Sequence, residues 1–220
     1  MKTRSANHHF AISPGIVSSR SIKRMGNNKT EGIHADGSIT TYSGIQYSLL
    51  NPRVEDILIE DIAHHLSNIC RYTGACREFY SVAQHSWHVS FLCDPEYALE
   101  GLMHDSSEAY VSDMSAPLKH SPNMLPYRDI EEINARAIVT RFGLRYPWHA
   151  SIKEADFRMY KTECRDLMPA GTGSWYGDLL PYDQIIRPFN SETAKSLFLC
   201  RFHTLTNALK IAVDNRPALR

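Results

Sequence analysis

Residues 101–113 read GLMHDSSEAYVSD, and this stretch decides how the rest of the chain is read. Leu102, Met103 and Ala109 continue an apolar stripe that begins at Leu99, a spacing that predicts a helix. Inside it His104 and Asp105 are adjacent. Neighbouring helical residues point about 100° apart, so both serve one site only where that site sits over the helix edge. A histidine followed directly by an aspartate then offers two corners of a metal polyhedron. Glu108 lies four residues after His104 and three after Asp105, hence on the same helical face. It is placed as a carboxylate acting on water at such a metal.

The flanking segments carry companions for this pair. Val82, Val89 and Leu92 form the stripe of a preceding helix that bears His85, in SVAQHSWHVS. A helix running roughly from Ser151 to Leu167 bears Asp156, in KEADFRMY. Two imidazoles and two carboxylates (His85, His104, Asp105, Asp156) leave positions on a divalent ion for water and a substrate oxygen, the arrangement of a catalytic rather than a closed structural site. Among the remaining histidines, His88 follows Trp87 on a packed helix. His64 and His65 share a helix whose register turns only one of them inward, where it would support a ligand rather than be one. His120, His149 and His203 have no ligand-like companions nearby, and Asp129, Glu131 and Glu132 read as a solvated helix face.

Further out, Ile59, Ile62, Leu66 and Ile69 predict an earlier helix. Ile130, Ile133 and Ala137 predict another, stopped by Gly143. A last helix begins near Ser191 and carries Leu197, Leu205, Leu209 and Ala212. Residues 37–52, GSITTYSGIQYSLLNP, suit one short strand or hairpin ended by Asn51-Pro52. A loop over 169–188 is dense in Gly, Pro and aromatics, with Trp175 and Tyr176 suited to local packing, a lid or a subunit contact. The fold class expected is all-α, one domain over 38–220.

Residues 1–37 differ. Lys2, Arg4, Arg20, Lys23, Arg24 and Lys29 precede the first acid, Glu31, and no amphipathic stripe accompanies them, so a flexible basic tail is expected. Over all 220 residues, 24 Lys and Arg balance 24 Asp and Glu. A net charge of zero argues against broad binding to nucleic-acid polymer or anionic membrane. No apolar run reaches the roughly 18 residues that span a bilayer. Five cysteines without a CxxC pair suit reduced thiols in a cytoplasm rather than a disulfide framework.

The ordered motifs RYTGACREFYSVAQHSWHVS, GLMHDSSEAYVSDMSAPLK, IEEINARAI with RFG, and IKEAD closely resemble the HD-domain metal-dependent phosphohydrolases. The likeness is strongest to the bacterial 5'-deoxynucleotidases and related phage dATP and dNTP triphosphohydrolases, and it covers residues 38–202. It implies an HD-type helical bundle, with His85, His104, Asp105 and Asp156 as metal ligands and Glu108 as the catalytic acid/base. Zn, Co, Mn or Mg would serve as the divalent ion. Asp113 matches an aspartate beside the substrate sugar, and Lys119 suits phosphate charge. Arg71-Tyr72 stands where the deoxynucleotidases place an Arg-Trp pair for phosphate and base, with a spacing to His85 one residue shorter. Arg77 is a further candidate for phosphate.

The partner implied is a small deoxynucleotide, hydrolysed to nucleoside and phosphate, and a homo-oligomer is expected. The rival outcome is attack at the alpha phosphorus of a triphosphate, releasing tripolyphosphate. Alarmone hydrolases are set aside because Ala109, not an acid, follows Glu108. From another class, a catalytically silent nucleotide-binding helical module is the alternative, and a nucleic-acid-binding helical protein stands third.

Overall fold

The computed structural model describes residues 37–170 and 178–214, with side-chain surroundings up to Leu209. The expected tail lies outside the described residues apart from Gly37, and Trp175 and Tyr176 also lie outside them. Among the described residues the chain is mostly helical with one small sheet. Strand β1 (Ser38–Thr40) pairs antiparallel with β2 (Gln46–Ser48), setting Ile39 opposite Tyr47. Their turn closes when the Gly44 N–H donates to the Thr41 carbonyl at 2.9 Å. Gly44 takes φ +89° there, which a residue without Cβ adopts at no steric cost.

Helix α1 spans Ile59–Asn68 and α2 spans Val82–Leu92. Two short helices, α3 (Ala98–Met103) and α4 (Glu108–Val111), follow, with a further single turn, α5, at Ala116–Lys119. The long helices are α6 (Leu125–Phe142), α7 (Ala150–Leu167) and α8 (Ser191–Asp214). Gly143 ends α6 in the left-handed conformation, φ +64°, and returns its N–H to Val139 O, the stop expected from sequence. No helix among the described residues is long and apolar enough to cross a membrane.

One helix organises the packing. α2 lies against α1, α3, α7 and α8, and such a surrounded helix is apolar on more than one face. Val82 and Ala83 join a core with Tyr47, Ile62, Leu66, Leu102, Ile138 and Phe198. Val89 faces a second core with Tyr80, Ile152, Met159 and Leu167 of the α7 side. His85 sits on α2 between these residues and is fully buried. Helix α2 is therefore held by two cores, one on each side of His85 in the sequence.

The stripe read as a single helix from Leu99 to Ala109 is in fact broken. α3 ends at Met103, and residues 104–107 form tight turns before α4 begins. Here the N–H groups of Ser106, Glu108 and Ala109 bond back three residues, to Met103, Asp105 and Ser106. The physical reason lies in two side chains. His104 Nδ1 engages the Gly101 carbonyl at 2.8 Å, and Ser106 Oγ donates to the Met103 carbonyl at 2.6 Å. Both carbonyls are thereby drawn away from the i+4 amides that would continue an α-helix.

The hairpin is joined to the long helices by a buried polar link. The Tyr47 hydroxyl donates to Asn134 Oδ1 at 2.7 Å, while Asn134 Nδ2 donates to the Leu49 and Ile130 carbonyls at 2.9 and 2.8 Å. Both residues are fully buried. Tyr47→Phe strips Asn134 Oδ1 of this donor in a site water does not reach. We expect a loss of about 1–3 kcal/mol in urea unfolding, with the slope of the transition unchanged.

Candidate metal centre

Helices α2, α3 and α7 bring the donors together. His85 projects from the middle of α2, whose start is fixed by Ser81 Oγ accepting the Gln84 N–H at 3.2 Å. His104 caps α3, and Asp105 follows in the tight turn. Donor atoms of His85, His104 and Asp105 all lie within 4.8 Å of one another. Asp105 Oδ2 is 3.6 Å from His85 Nε2 and 3.3 Å from His104 Nε2. Asp156 on α7 approaches from another side, its Oδ1 3.0 Å from His85 Nε2 and 4.0 Å from His104 Nε2. It stands outside the mutual 4.8 Å set.

Both Nε2 atoms are buried and lack a hydrogen-bond partner, despite the Asp156 contact to His85. Buried polar nitrogens are rarely left so. Their other nitrogens are occupied, since His104 Nδ1 meets Gly101 O and His85 Nδ1 meets Glu163 Oε1 at 2.6 Å. Fixing Nδ1 leaves each Nε2 turned toward carboxylate oxygens, Asp105 for both and Asp156 nearer still for His85, which is how a metal-ligating imidazole is oriented. The residues therefore fit a divalent cation with mixed nitrogen and oxygen ligands.

Glu163 was not singled out from sequence. It lies seven residues after Asp156, two turns along α7 and on the same face, a spacing that was the available signal. Its side chain is fully buried. Besides His85 it accepts from Arg71 Nε at 3.2 Å and from the Tyr72 hydroxyl. Burial opposes its charge, yet Arg71 and His85 outweigh burial and hold its carboxyl down at about 2. Arg71 is itself only 12% exposed, and its Nη1 stands 3.7 Å from Asp105 Oδ2. Arg71 thus spans Glu163 and Asp105, one of the candidate donors.

The loop that delivers Arg71 and Tyr72 is strained. Tyr72 and Thr73 take φ +56° and +54°, followed by Gly74 at +82°. Left-handed backbone at a side-chain-bearing residue costs roughly 1–2 kcal/mol each. Such strain persists where surrounding bonds over-determine the conformation. Here the Arg71 N–H donates to Tyr80 O at 2.9 Å, and both side chains end on Glu163. Tyr72, expected at the base, has its hydroxyl committed to this carboxylate.

On the other side Glu108 opens α4 and is buried, with Oε2 lacking a partner. Burial first, and then the charges of Asp105 and Asp113, push its carboxyl well above the ordinary carboxylate range. Asp113 is raised as well, chiefly by burial. It follows Ser112, whose φ of +72° redirects the chain after α4. Lys119 Nζ donates to Glu131 Oε1 at 2.6 Å; burial works against its charge, but Glu131 keeps it raised.

A cleft of about 520 Å³ opens over His104, Asp105, Glu108 and Asp156, and its wall includes Lys119, His120, Arg128 and Lys153. Glu131 and Glu132 also line it, the second accepting the Tyr146 hydroxyl at 2.6 Å. Two of the acids read as a solvated face are thus part of the cleft wall, because the segment after Gly143 folds back over that side of α6. A second concavity of about 450 Å³, near Asn68 and Phe79, contains none of these groups. His88 is not among the donors; burial lowers its imidazole to about 4. His149 caps α7, accepting the Ser151 N–H at 3.3 Å. Arg77 donates its backbone N–H to Leu167 O.

The metal-free centre carries its own pH signature. Burial and Arg71 oppose a charge on His85, but Glu163 and Asp156 prevail and raise it to about 9 from 6.5. A raised histidine contributes stability that is full below pH 6.5 and lost as pH rises through about 9. The raised Glu108 acts in the same direction, beginning nearer pH 4.5. The depressed Glu163 acts oppositely, its contribution present above pH 4.5 and lost toward pH 2. Urea titrations of chelator-treated protein should therefore show stability falling between pH 6 and 9.5, by on the order of 3 kcal/mol from His85. Saturating divalent cation should flatten that fall, because a bound cation replaces the proton.

No family model matches the chain. It is 39% identical over 179 residues to the Escherichia coli protein named "Uncharacterized protein YfdR", an alignment covering 79% of this chain and 98% of that one. It is also 36% identical over 122 residues to the Rhodobacter capsulatus protein "Uncharacterized protein RCAP_rcc00048", covering 51% and 62% of the two chains. At that identity, and across nearly the whole length of the Escherichia coli protein, the chain belongs to the YfdR family.

Proposed function

We propose that this chain is a metal-dependent phosphohydrolase of the HD superfamily that acts on deoxynucleotides and releases phosphate from deoxynucleoside monophosphates. One observation carries the reading: two buried imidazole Nε2 atoms without hydrogen-bond partners converge on Asp105 beside a third buried orphan, Glu108 Oε2. His85, His104, Asp105 and Asp156 would hold the cation, and Zn, Co, Mn and Mg all accept such ligands. When bound, the cation supplies Lewis acidity toward a phosphoryl oxygen and acidifies water.

The remaining steps fall to the chain's own residues. Water oxygen bonds to phosphorus as the bond from phosphorus to the sugar oxygen breaks. Glu108 takes the water proton and returns one to the leaving oxygen, a two-way role suited to a carboxyl whose proton affinity is raised. Arg71, steadied by Glu163, and Lys119, steadied by Glu131, offset phosphate charge. Asp113 stands beside Glu108, where a sugar hydroxyl would meet it.

A second reading draws support from the cleft. Its wall carries Arg128 and Lys153 beyond the Lys119–Glu131 pair, two cations that would meet phosphates past the first. That favours a triphosphate attacked at its alpha phosphorus.

Product analysis on metal-loaded protein tests both. Orthophosphate from deoxynucleoside monophosphates is the expected result, and tripolyphosphate from a deoxynucleoside triphosphate replaces it with the second reading. Glu108→Gln should lower kcat by about 10²–10⁴-fold while bound metal is unchanged. Turnover that survives Glu108→Gln, or that persists after chelation, refutes the proposed chemistry.

A further inference from the structure

Helix α4, which bears Glu108, is four residues long. A single turn has no stability of its own, because nucleating a helix fixes more dihedral angles than its few hydrogen bonds repay. The position of the Glu108 carboxyl is therefore set by what grips α4 from outside. At the far end the Tyr127 hydroxyl donates to Ser112 O at 2.9 Å, and the Tyr110 ring stacks on Tyr47 with centroids 4.0 Å apart. Next to Glu108 the grip is His65 on α1, whose Nδ1 lies 2.7 Å from the Ala109 carbonyl.

The bonding dictates the state of this ring. A carbonyl only accepts, so Nδ1 carries the hydrogen. His65 Nε2 lies 3.0 Å from the Tyr42 backbone N–H, which only donates, so Nε2 keeps its lone pair. The imidazole is a neutral, single-tautomer bridge between the hairpin turn and α4. The turn is anchored without it. Asp61 accepts the Ser43 N–H and hydroxyl at 2.7 and 2.8 Å. The Tyr42 ring stacks on His64 at 3.7 Å, with Lys195 Nζ 4.1 Å from its centroid. Of the histidine pair, His65 reaches α4 and His64 packs on the turn.

We propose that His65 is the positioning residue for Glu108, fixing the first turn of α4 through the Ala109 carbonyl while Tyr42 fixes the ring. This rests on the reading of Glu108 as the acid/base. The bridge touches neither the cation donors nor the cleft, so its loss should leave metal content and KM alone and appear in kcat.

Three variants separate the two halves of the bridge. Asn at position 65 places an amide N–H near the former Nδ1 and keeps the Ala109 bond. Gln reaches the former Nε2 position and serves Tyr42 only. With metal-loaded protein and deoxynucleotide substrate, His65→Ala and His65→Gln should lower kcat about tenfold, since a misplaced acid/base forfeits part of its contribution. His65→Asn should stay within about threefold of wild type, with KM and metal content unchanged throughout. Equal losses in His65→Asn and His65→Ala, or losses confined to KM or metal content, overturn the proposal.

If wild-type protein turns over no deoxynucleotide, the reading of Glu108 fails, and two other measurements judge the grip on α4. Imidazole ¹⁵N shifts should report an Nδ1–H tautomer for His65. Amide hydrogen exchange at Ala109–Ser112 should quicken in His65→Ala and not in His65→Asn. The opposite tautomer, or unchanged exchange, rules the grip out.

Discussion

The buried carboxylate of Glu163 is the contact on which the rest of the centre depends. It binds His85 Nδ1, the Arg71 guanidinium and the Tyr72 hydroxyl from one fully buried position. An isolated charge there would carry a large desolvation penalty, and three donors offset it. Each donor is in turn fixed by it. The His85 ring is oriented so that Nε2 faces Asp156 and Asp105, and Arg71 is drawn across to Asp105. The left-handed backbone at Tyr72 and Thr73 is held where the Arg71 and Tyr72 side chains end on Glu163. Removing one partner from such a buried group typically costs 3–5 kcal/mol, because the others lose their compensation together.

A second constraint acts locally. The turns at 104–107 close through bonds between residues three apart, a tighter winding than the α-helix that brings positions i and i+3 nearer to one side. Asp105 and Glu108 are three apart and come onto one side, where their mutual repulsion adds to the rise in Glu108's proton affinity. A regular helix would have aligned Glu108 more closely with His104. Two short side-chain bonds to carbonyls, from His104 and Ser106, thereby separate the turn bearing the candidate donors His104 and Asp105 from the helix that carries the carboxyl.

Much of this was legible in the sequence, for reasons that differ by residue. The helices bearing His85 and Asp156 follow from apolar spacing, since a helix must bury one face. Gly143 was legible as a stop because few other residues enter the left-handed region cheaply. The pairing of His104 with Asp105 follows from adjacency alone. Glu163 sat at a readable interval from Asp156, but a carboxylate on a helix face is ordinarily solvated. Nothing in its own segment indicates that α2 and the 71–74 loop close over it. Glu131, only 15% exposed and bonded to Lys119, went unread as a cleft residue for the same reason, whereas Glu132 lines the cleft while still 41% exposed.

By itself the sequence determined the helical class, the short hairpin, the apolar faces, and the histidines and aspartates able to share a cation. These are local properties, set by periodicity, by backbone preference and by side-chain chemistry. Only the tertiary structure decided which nitrogen of each histidine is left without a partner and which carboxylate is buried as support. It also decided that the turn bearing Glu108 is gripped by His65 across 44 residues of chain. Those outcomes depend on groups distant in sequence removing water from one another. Desolvation is a property of the assembled packing, so no single segment encodes it.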